Sequence, residues 1–161
     1  MARPVPPTRG WLLAMAAVCL AAVGAALVSQ YVFDMQPCPW CILQRLIFVV
    51  IGIVCLVGAL LPATAARKTI TAGALLLAGA GAAAAVWQNQ VAAKSASCNL
   101  TLADRIVTSL QVESMVPWLF QIKASCADGA VKMLGLPYEM WSLALFVVLA
   151  LAAVRVLMQR R

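Results

Sequence analysis

Histidine does not occur in this chain of 161 residues. Its absence removes His-ligated haem, His-based zinc sites, Ser/His/Asp triads and Cys–His nucleophiles. Proton and electron chemistry must therefore use other groups. Charge is scarce as well: charged residues make up 11% of the chain and hydrophobic ones 65%, against about 25% and roughly 45–50% in a soluble globular domain. A soluble fold of this size would leave about a third of its unfolded surface in water, and so few charges could not keep that surface dissolved. Acids are the scarcest of all, five Asp and Glu against twelve Lys and Arg, for a net charge of +7. Such an excess suits nucleic acid only where basic residues gather on one face. Here their positions assign them to another use.

What the chain does have is uncharged runs. About 20 apolar residues at 1.5 Å each cross the hydrocarbon of a bilayer. Gly10 to Phe33 is 24 residues without charge, Leu46 to Ala66 is 21 and Thr69 to Ala93 is 25. A fourth run, Met140 to Val154, has only 15, so it needs Tyr138 and Glu139 at one end and a snorkelling Arg155 with Val156 to Met158 at the other. Backbone groups in lipid must be satisfied within the segment, and none of the runs alternates as a barrel strand does, so each is expected to be a helix. The first resembles a secretory signal in having Arg3 and Arg9 ahead of it, but it exceeds the roughly 7–15 residues of a signal core and reads as a retained helix. Gly73, Gly79, Gly81 and Ala82 to Ala85 in the third run suit close packing between helices. The expected fold is an all-α membrane protein, a four-transmembrane-helix bundle in a single integral membrane domain over residues 1–161. Its helices are expected at about 11–32, 42–61, 69–90 and 138–158, with a short outer loop at about 33–41 and a long one at about 94–137.

Four crossings put Arg3, Arg9, Arg67, Lys68, Arg155, Arg160 and Arg161 on one side with no acid. That side is expected to be the cytoplasm. The other side holds Arg45, Lys94, Arg105, Lys123 and Lys132 together with all five acids, and is neutral. The whole net charge is thus topogenic, nucleic acid is not an expected partner, and membrane lipid is.

Of six cysteines, Cys19 and Cys55 fall in the middle of the first and second helices, where a free Cys serves as a small buried hydrophobe. Cys38 and Cys41 lie in the short outer loop as Pro37-Cys38-Pro39-Trp40-Cys41, and Cys98 and Cys126 lie in the long one. All four face the compartment in which disulfides persist. Zinc would need a second close-spaced pair or histidine, and Cys98 and Cys126 are 28 residues apart, so no metal is expected. A Cys98–Cys126 bond has a purely structural use, stabilising its loop by about 3.5 kcal/mol on chain entropy. A Cys38–Cys41 bond closes too small a loop to constrain much, so its usefulness lies in being made and broken. The prolines suit an extended approach to a helix that starts near Trp40 or Cys41. That leaves Cys41 in a first turn, where free N–H groups and the helix dipole favour a thiolate. Arg45, four residues on, shares its face. An ionisable group just inside the apolar boundary marks either a function or a side chain snorkelling to the head groups.

These features together resemble the disulfide bond formation protein B (DsbB) family, bacterial inner-membrane quinone reductases that act as thiol oxidases. The resemblance rests on four helices, the P-C-x-x-C at Pro37 to Cys41 followed by Arg45, the separated pair Cys98 and Cys126, and Leu134-Gly135-Leu136 with Trp141 opening the last helix. It implies an enzyme that reoxidises a periplasmic dithiol protein of the DsbA type and passes the electrons to the membrane quinone pool, ubiquinone or menaquinone. It further implies that Cys98 forms the mixed disulfide, Cys126 exchanges with Cys38, Cys41 meets the quinone and Arg45 binds it. The chain departs from the family in having Pro39-Trp40 where an aliphatic pair is common. A second departure is Trp87-Gln88-Asn89-Gln90 where relatives often carry a histidine, which leaves Gln88 or water as the proton source.

Two other readings of the residues stay open: a vitamin K epoxide reductase-like oxidoreductase, and a non-enzymatic membrane protein with structural disulfides. In the long loop, Leu102, Ile106 and Leu110 share one face of a short helix with a capping-box spacing at Thr101 and Asp104. That face and the segment Val116 to Phe120 suit contact with the outer leaflet.

Overall fold

The computed structural model describes residues 7–94, 101–125, 127–128 and 132–159. Cys98 and Cys126 lie outside the described residues, as do Arg3, Arg160 and Arg161. Four long helices form the body: α1 (Pro7–Tyr31), α2 (Pro39–Leu60), α3 (Thr64–Gln90) and, last in the chain, α7 (Tyr138–Met158). Each is long and apolar enough to cross a membrane. The chain is a multi-pass membrane protein built as a four-helix bundle. Between α3 and α7 come a 3₁₀ turn (Ala92–Lys94), the short helices α4 (Leu102–Ser109), α5 (Val112–Met115) and α6 (Pro117–Phe120), and a hairpin of β1 (Lys132–Met133) and β2 (Leu136–Pro137).

Three helices start earlier than the sequence suggested, at 7 instead of 11, at 39 instead of 42 and at 64 instead of 69. Pro39 occupies the first turn of α2, where a missing N–H is no loss. In α3, charge bounds the apolar run without ending the helix: Arg67 is buried and its Nε donates to the Leu61 carbonyl at 2.8 Å. The hairpin turn places Leu134 (φ 54°) and Gly135 (φ 82°) both at positive φ, the requirement of a two-residue primed turn.

The core follows from small residues. Leu12, Met15 and Cys19 of α1 meet Phe48, Ile51 and Cys55 of α2, Ala74 and Ala78 of α3, and Phe146 and Leu149 of α7. Phe48 and Phe146 stack with centroids 4.1 Å apart. Gly81 makes this possible, since a Cβ there would lie 2.4 Å from the Phe146 ring. Gly73 and Gly79 face open space, so of the expected packing glycines in α3 only Gly81 supports a close approach. Large apolar side chains such as Leu20, Leu76, Leu151 and Met158 point outward, as a lipid-facing surface requires.

A second cluster sits above the bundle. Cys38, Trp40, Ile42 and Leu43 at the start of α2 pack with Ala84 of α3, Ala103 and Val107 of α4, and Phe120 of α6. The capping box at the head of α4 is formed, Thr101 and Asp104 each bonding the other's backbone. Its protein-facing side is Ala103 and Val107, both fully buried, and Leu102 and Leu110 are left exposed, as contact with the outer leaflet requires. Small Ala103 lets α4 approach α2 closely, so the larger leucines turn away. The segment 116–120 is likewise divided, Trp118 being exposed and Phe120 buried.

Candidate functional site

Cys38 is the N-cap of α2, extended at φ −87°, ψ 167°, and its Sγ accepts the backbone N–H of Cys41 at 3.3 Å. Capping directs the Cys38 sulfur back over the first helical turn, where Cys41 lies. The two Sγ atoms are 2.7 Å apart. Cys38 is fully buried and Cys41 partly exposed. The surroundings of the couple differ: Cys38 is buried within the cluster beneath the long loop, whereas Cys41, packed at the edge of that cluster, also lines a pocket between α1, α2, α3 and α7.

That pocket, of about 90 Å³, has apolar walls from Ala22, Val23, Ala26, Phe48 and Leu145 and a polar end formed by Cys41, Arg45, Gln88 and Glu139. Arg45 is 5% exposed: it turns into the bundle and does not snorkel to the head groups. Its Nη1 donates to Gln30 Oε1 at 2.8 Å and to the Leu119 carbonyl at 2.6 Å. Its Nε is buried without a hydrogen-bond partner, a donor available to something in the pocket. A guanidinium so held keeps a fixed charge and direction.

Gln88 sits beside both sulfurs, its Nε2 lying 3.3 Å from Cys41 Sγ and 3.5 Å from Cys38 Sγ. Gln44 Nε2 donates to Gln88 Oε1 at 2.7 Å, so the amide oxygen is occupied and the N–H₂ end faces the cysteines. A carboxamide donates hydrogen bonds but does not ionise. Gln88 is thus placed to offer both sulfurs an N–H donor.

The long loop closes over the short one. Lys123 and Ala124 donate backbone N–H groups to the Pro37 carbonyl at 3.1 and 3.2 Å. The Tyr31 hydroxyl donates to the Trp118 carbonyl at 2.7 Å. These bonds bring the long loop against the residue preceding Cys38, and Ala124 precedes Cys126 by two residues. Cys19 and Cys55 are buried in the bundle core, away from this pocket.

Gln30, Gln44 and Glu139 belong to the site and were not singled out from sequence. A signal existed: each is a polar group in or beside a run of membrane-spanning length, where such groups are expensive and carry a use.

A family model described as disulfide bond formation protein DsbB matches residues 8–156. The chain is 36% identical over 146 residues to disulfide bond formation protein B 1 of Pseudomonas syringae pv. syringae, covering 87% of this chain and 83% of that one. It is 36% identical over 147 residues to disulfide bond formation protein B of Cupriavidus metallidurans, covering 89% of each. With the protein of the same name from Ralstonia nicotianae it shares 32% identity over 155 residues, 95% of this chain and 96% of the relative. The helical bundle, the vicinal cysteine couple at the head of α2 and these likenesses agree: the chain belongs to the disulfide bond formation protein B family, membrane oxidoreductases of disulfide formation.

Proposed function

We propose that this protein is a quinone-dependent thiol oxidase that reoxidises a periplasmic dithiol protein of the DsbA type. Cys38 and Cys41 form the inner couple, Cys98 and Cys126 the outer couple, and Arg45 holds the electron acceptor. The observation that carries this reading is the division of the inner couple, with Cys38 facing the long loop and Cys41 facing the pocket of Arg45. One sulfur is thus disposed to receive electrons from the loop and the other to release them.

The residues fit a quinone. An amphiphilic ring with carbonyl oxygens and an isoprenoid tail needs apolar walls, a donor at one end and access to lipid. The walls from Ala22, Val23 and Phe48 and the unpartnered Arg45 Nε answer the first two. When bound, a quinone supplies a two-electron, two-proton acceptor, which matches the stoichiometry of one dithiol.

In the proposed relay each transfer is thiolate attack on a disulfide. A thiolate of the periplasmic partner attacks the Cys98–Cys126 bond at Cys98, and resolution of that mixed disulfide oxidises the partner. Cys126 then attacks the Cys38–Cys41 bond at Cys38 and releases the Cys41 thiolate, and Cys98 attacks Cys126 in turn, which re-forms the Cys98–Cys126 bond and leaves the inner couple reduced. Re-forming the Cys38–Cys41 bond sends two electrons into the pocket. Gln88 donates hydrogen bonds to the sulfurs as they carry charge, and Arg45 donates where negative charge develops on the acceptor.

In the membrane, both termini and the connection at Arg67 and Lys68 would face the cytoplasm, and the cysteine loops the periplasm of a bacterial inner membrane. The supporting observation is the charge distribution, in which all the acids fall on the other side.

Trapping tests the relay. In a Cys126→Ser variant Cys98 is a lone thiol, so it should attack the disulfide of an oxidised DsbA-type protein and accumulate as an adduct linked through Cys98. No Cys126 thiol is left to displace the partner, and reductant should release it. No adduct at Cys98, with the inner couple still oxidised by added quinone, would overturn the assignment of the outer couple.

A further inference from the structure

Among the described residues, Glu139 is the only acid lining the Cys41 pocket. It lies in the first turn of α7 and is 3% exposed. Its Oε1 accepts a hydrogen bond from Asn89 Nδ2 at 2.8 Å, while Oε2 is buried and has no hydrogen-bond partner. A carboxyl group withdrawn from water with one oxygen unsatisfied is destabilising, and at membrane depth such groups mark proton paths. Around it stand Cys41 and Arg45 from α2, Gln88 and Asn89 from α3, Ser29 from α1 and Tyr138 from its own turn. Arg45 keeps its protons, the amides do not ionise, and Tyr138 is engaged with Ser29.

We propose that Glu139 carries protons between the inner cysteine couple and the acceptor. Re-forming the Cys38–Cys41 bond breaks two S–H bonds and releases two electrons and two protons, and a quinone gains the same number. In its acid form Glu139 releases the Oε2 proton towards the acceptor and recovers one from the Cys41 thiol, so that it ends each turnover as it began. The second thiol proton leaves to water at the outer surface, and the acceptor draws its second proton from the same source. Asn89 is a positioning residue, occupying Oε1 so that Oε2 is the oxygen presented to the pocket.

This inference rests on the quinone reading above, and the experiment separates the two. The full-length protein with its inner couple pre-reduced is mixed with a short-chain ubiquinone, and quinone absorbance is followed through a single turnover. Glu139→Gln should slow quinone reduction by about 100-fold, the ordinary share of a general acid, and Glu139→Asp should recover part of that loss. Infrared difference spectra of quinone-free protein, reduced minus oxidised, should contain a carboxyl band that Glu139→Gln lacks. Should Glu139→Gln fail to fold, Glu139→Asp and the infrared band of the unmodified protein still decide. A rate within about twofold of the unmodified protein in Glu139→Gln, or no carboxyl response on reduction, overturns the role of Glu139. Failure of the unmodified protein to reduce quinone overturns the quinone reading and this inference with it.

Discussion

Within α2, Arg45 is the only charged side chain, and the structure holds it by a glutamine and a main-chain carbonyl in place of an acid. An acid partner would neutralise the charge that the pocket needs, whereas neutral acceptors fix its direction and leave its field intact. Arg45→Ala is therefore expected to lower the rate of quinone reduction by about 10²-fold, as removal of one preorganised donor does. The mixed disulfide with the periplasmic dithiol protein should still form. A stopped assay of quinone reduction, run beside adduct trapping, checks both halves. Gln88 makes a different prediction. Gln88→Leu leaves Gln44 Nε2 buried without its acceptor, a loss of about 1–3 kcal/mol, and deprives both sulfurs of a donor. Thermal unfolding in detergent should show the lower stability, and alkylation of the reduced couple at fixed pH should slow.

Among the elements, α3 and α7 lie closest where Gly81 faces Phe146. A methyl group at position 81 forces the stacked phenylalanines apart, and overpacking of this kind is destabilising by about 1–3 kcal/mol. Gly81→Ala should therefore lower the melting temperature, and Phe146→Leu in the same chain should restore part of it by making room. An unchanged melting temperature in the single variant would contradict the packing. At the outer surface, α4 spans only eight residues, too few for a stable isolated helix, and depends on its capping box and on Ala103 and Val107. Thr101→Ala should weaken it by about 1 kcal/mol, seen as faster amide exchange over 102–109 with the bundle helices unaffected.

Taken whole, the molecule joins a lipid-facing bundle to a cap of short helices, and the site lies where they meet. Cys38 is buried among cap residues, and Cys41, at the edge of that cluster, also lines the bundle pocket, so in the proposed relay electrons entering through the long loop would cross from one sulfur to its neighbour. This arrangement requires both loops to share one face of the membrane. A membrane-impermeant maleimide applied to reduced, intact spheroplasts should modify the cysteines of the long loop. Labelling of Cys98 or Cys126 only after the membrane is opened would reverse the orientation proposed here.

The four helices, the Cys38–Cys41 couple and the shared face of Cys41 and Arg45 were legible in the sequence, because uncharged length and residue spacing are one-dimensional properties. Helix starts were less so: Pro39 and Arg67 look like boundaries in a string of letters, yet a proline fits a first turn and a buried arginine can bond a neighbouring carbonyl. Periodicity identified the apolar face of α4 that is left exposed, but not that Ala103 and Val107 are the residues its protein neighbours receive. Gln30, Gln44, Gln88 and Glu139 come from three other turns of chain and one shared helix, and only their convergence on Cys41 and Arg45 makes them a site. Length and hydropathy alone put this chain in a membrane and leave four of its six cysteines between the apolar runs. Folding alone decided which polar groups meet around the sulfurs, because that depends on distances between helices that no single helix contains.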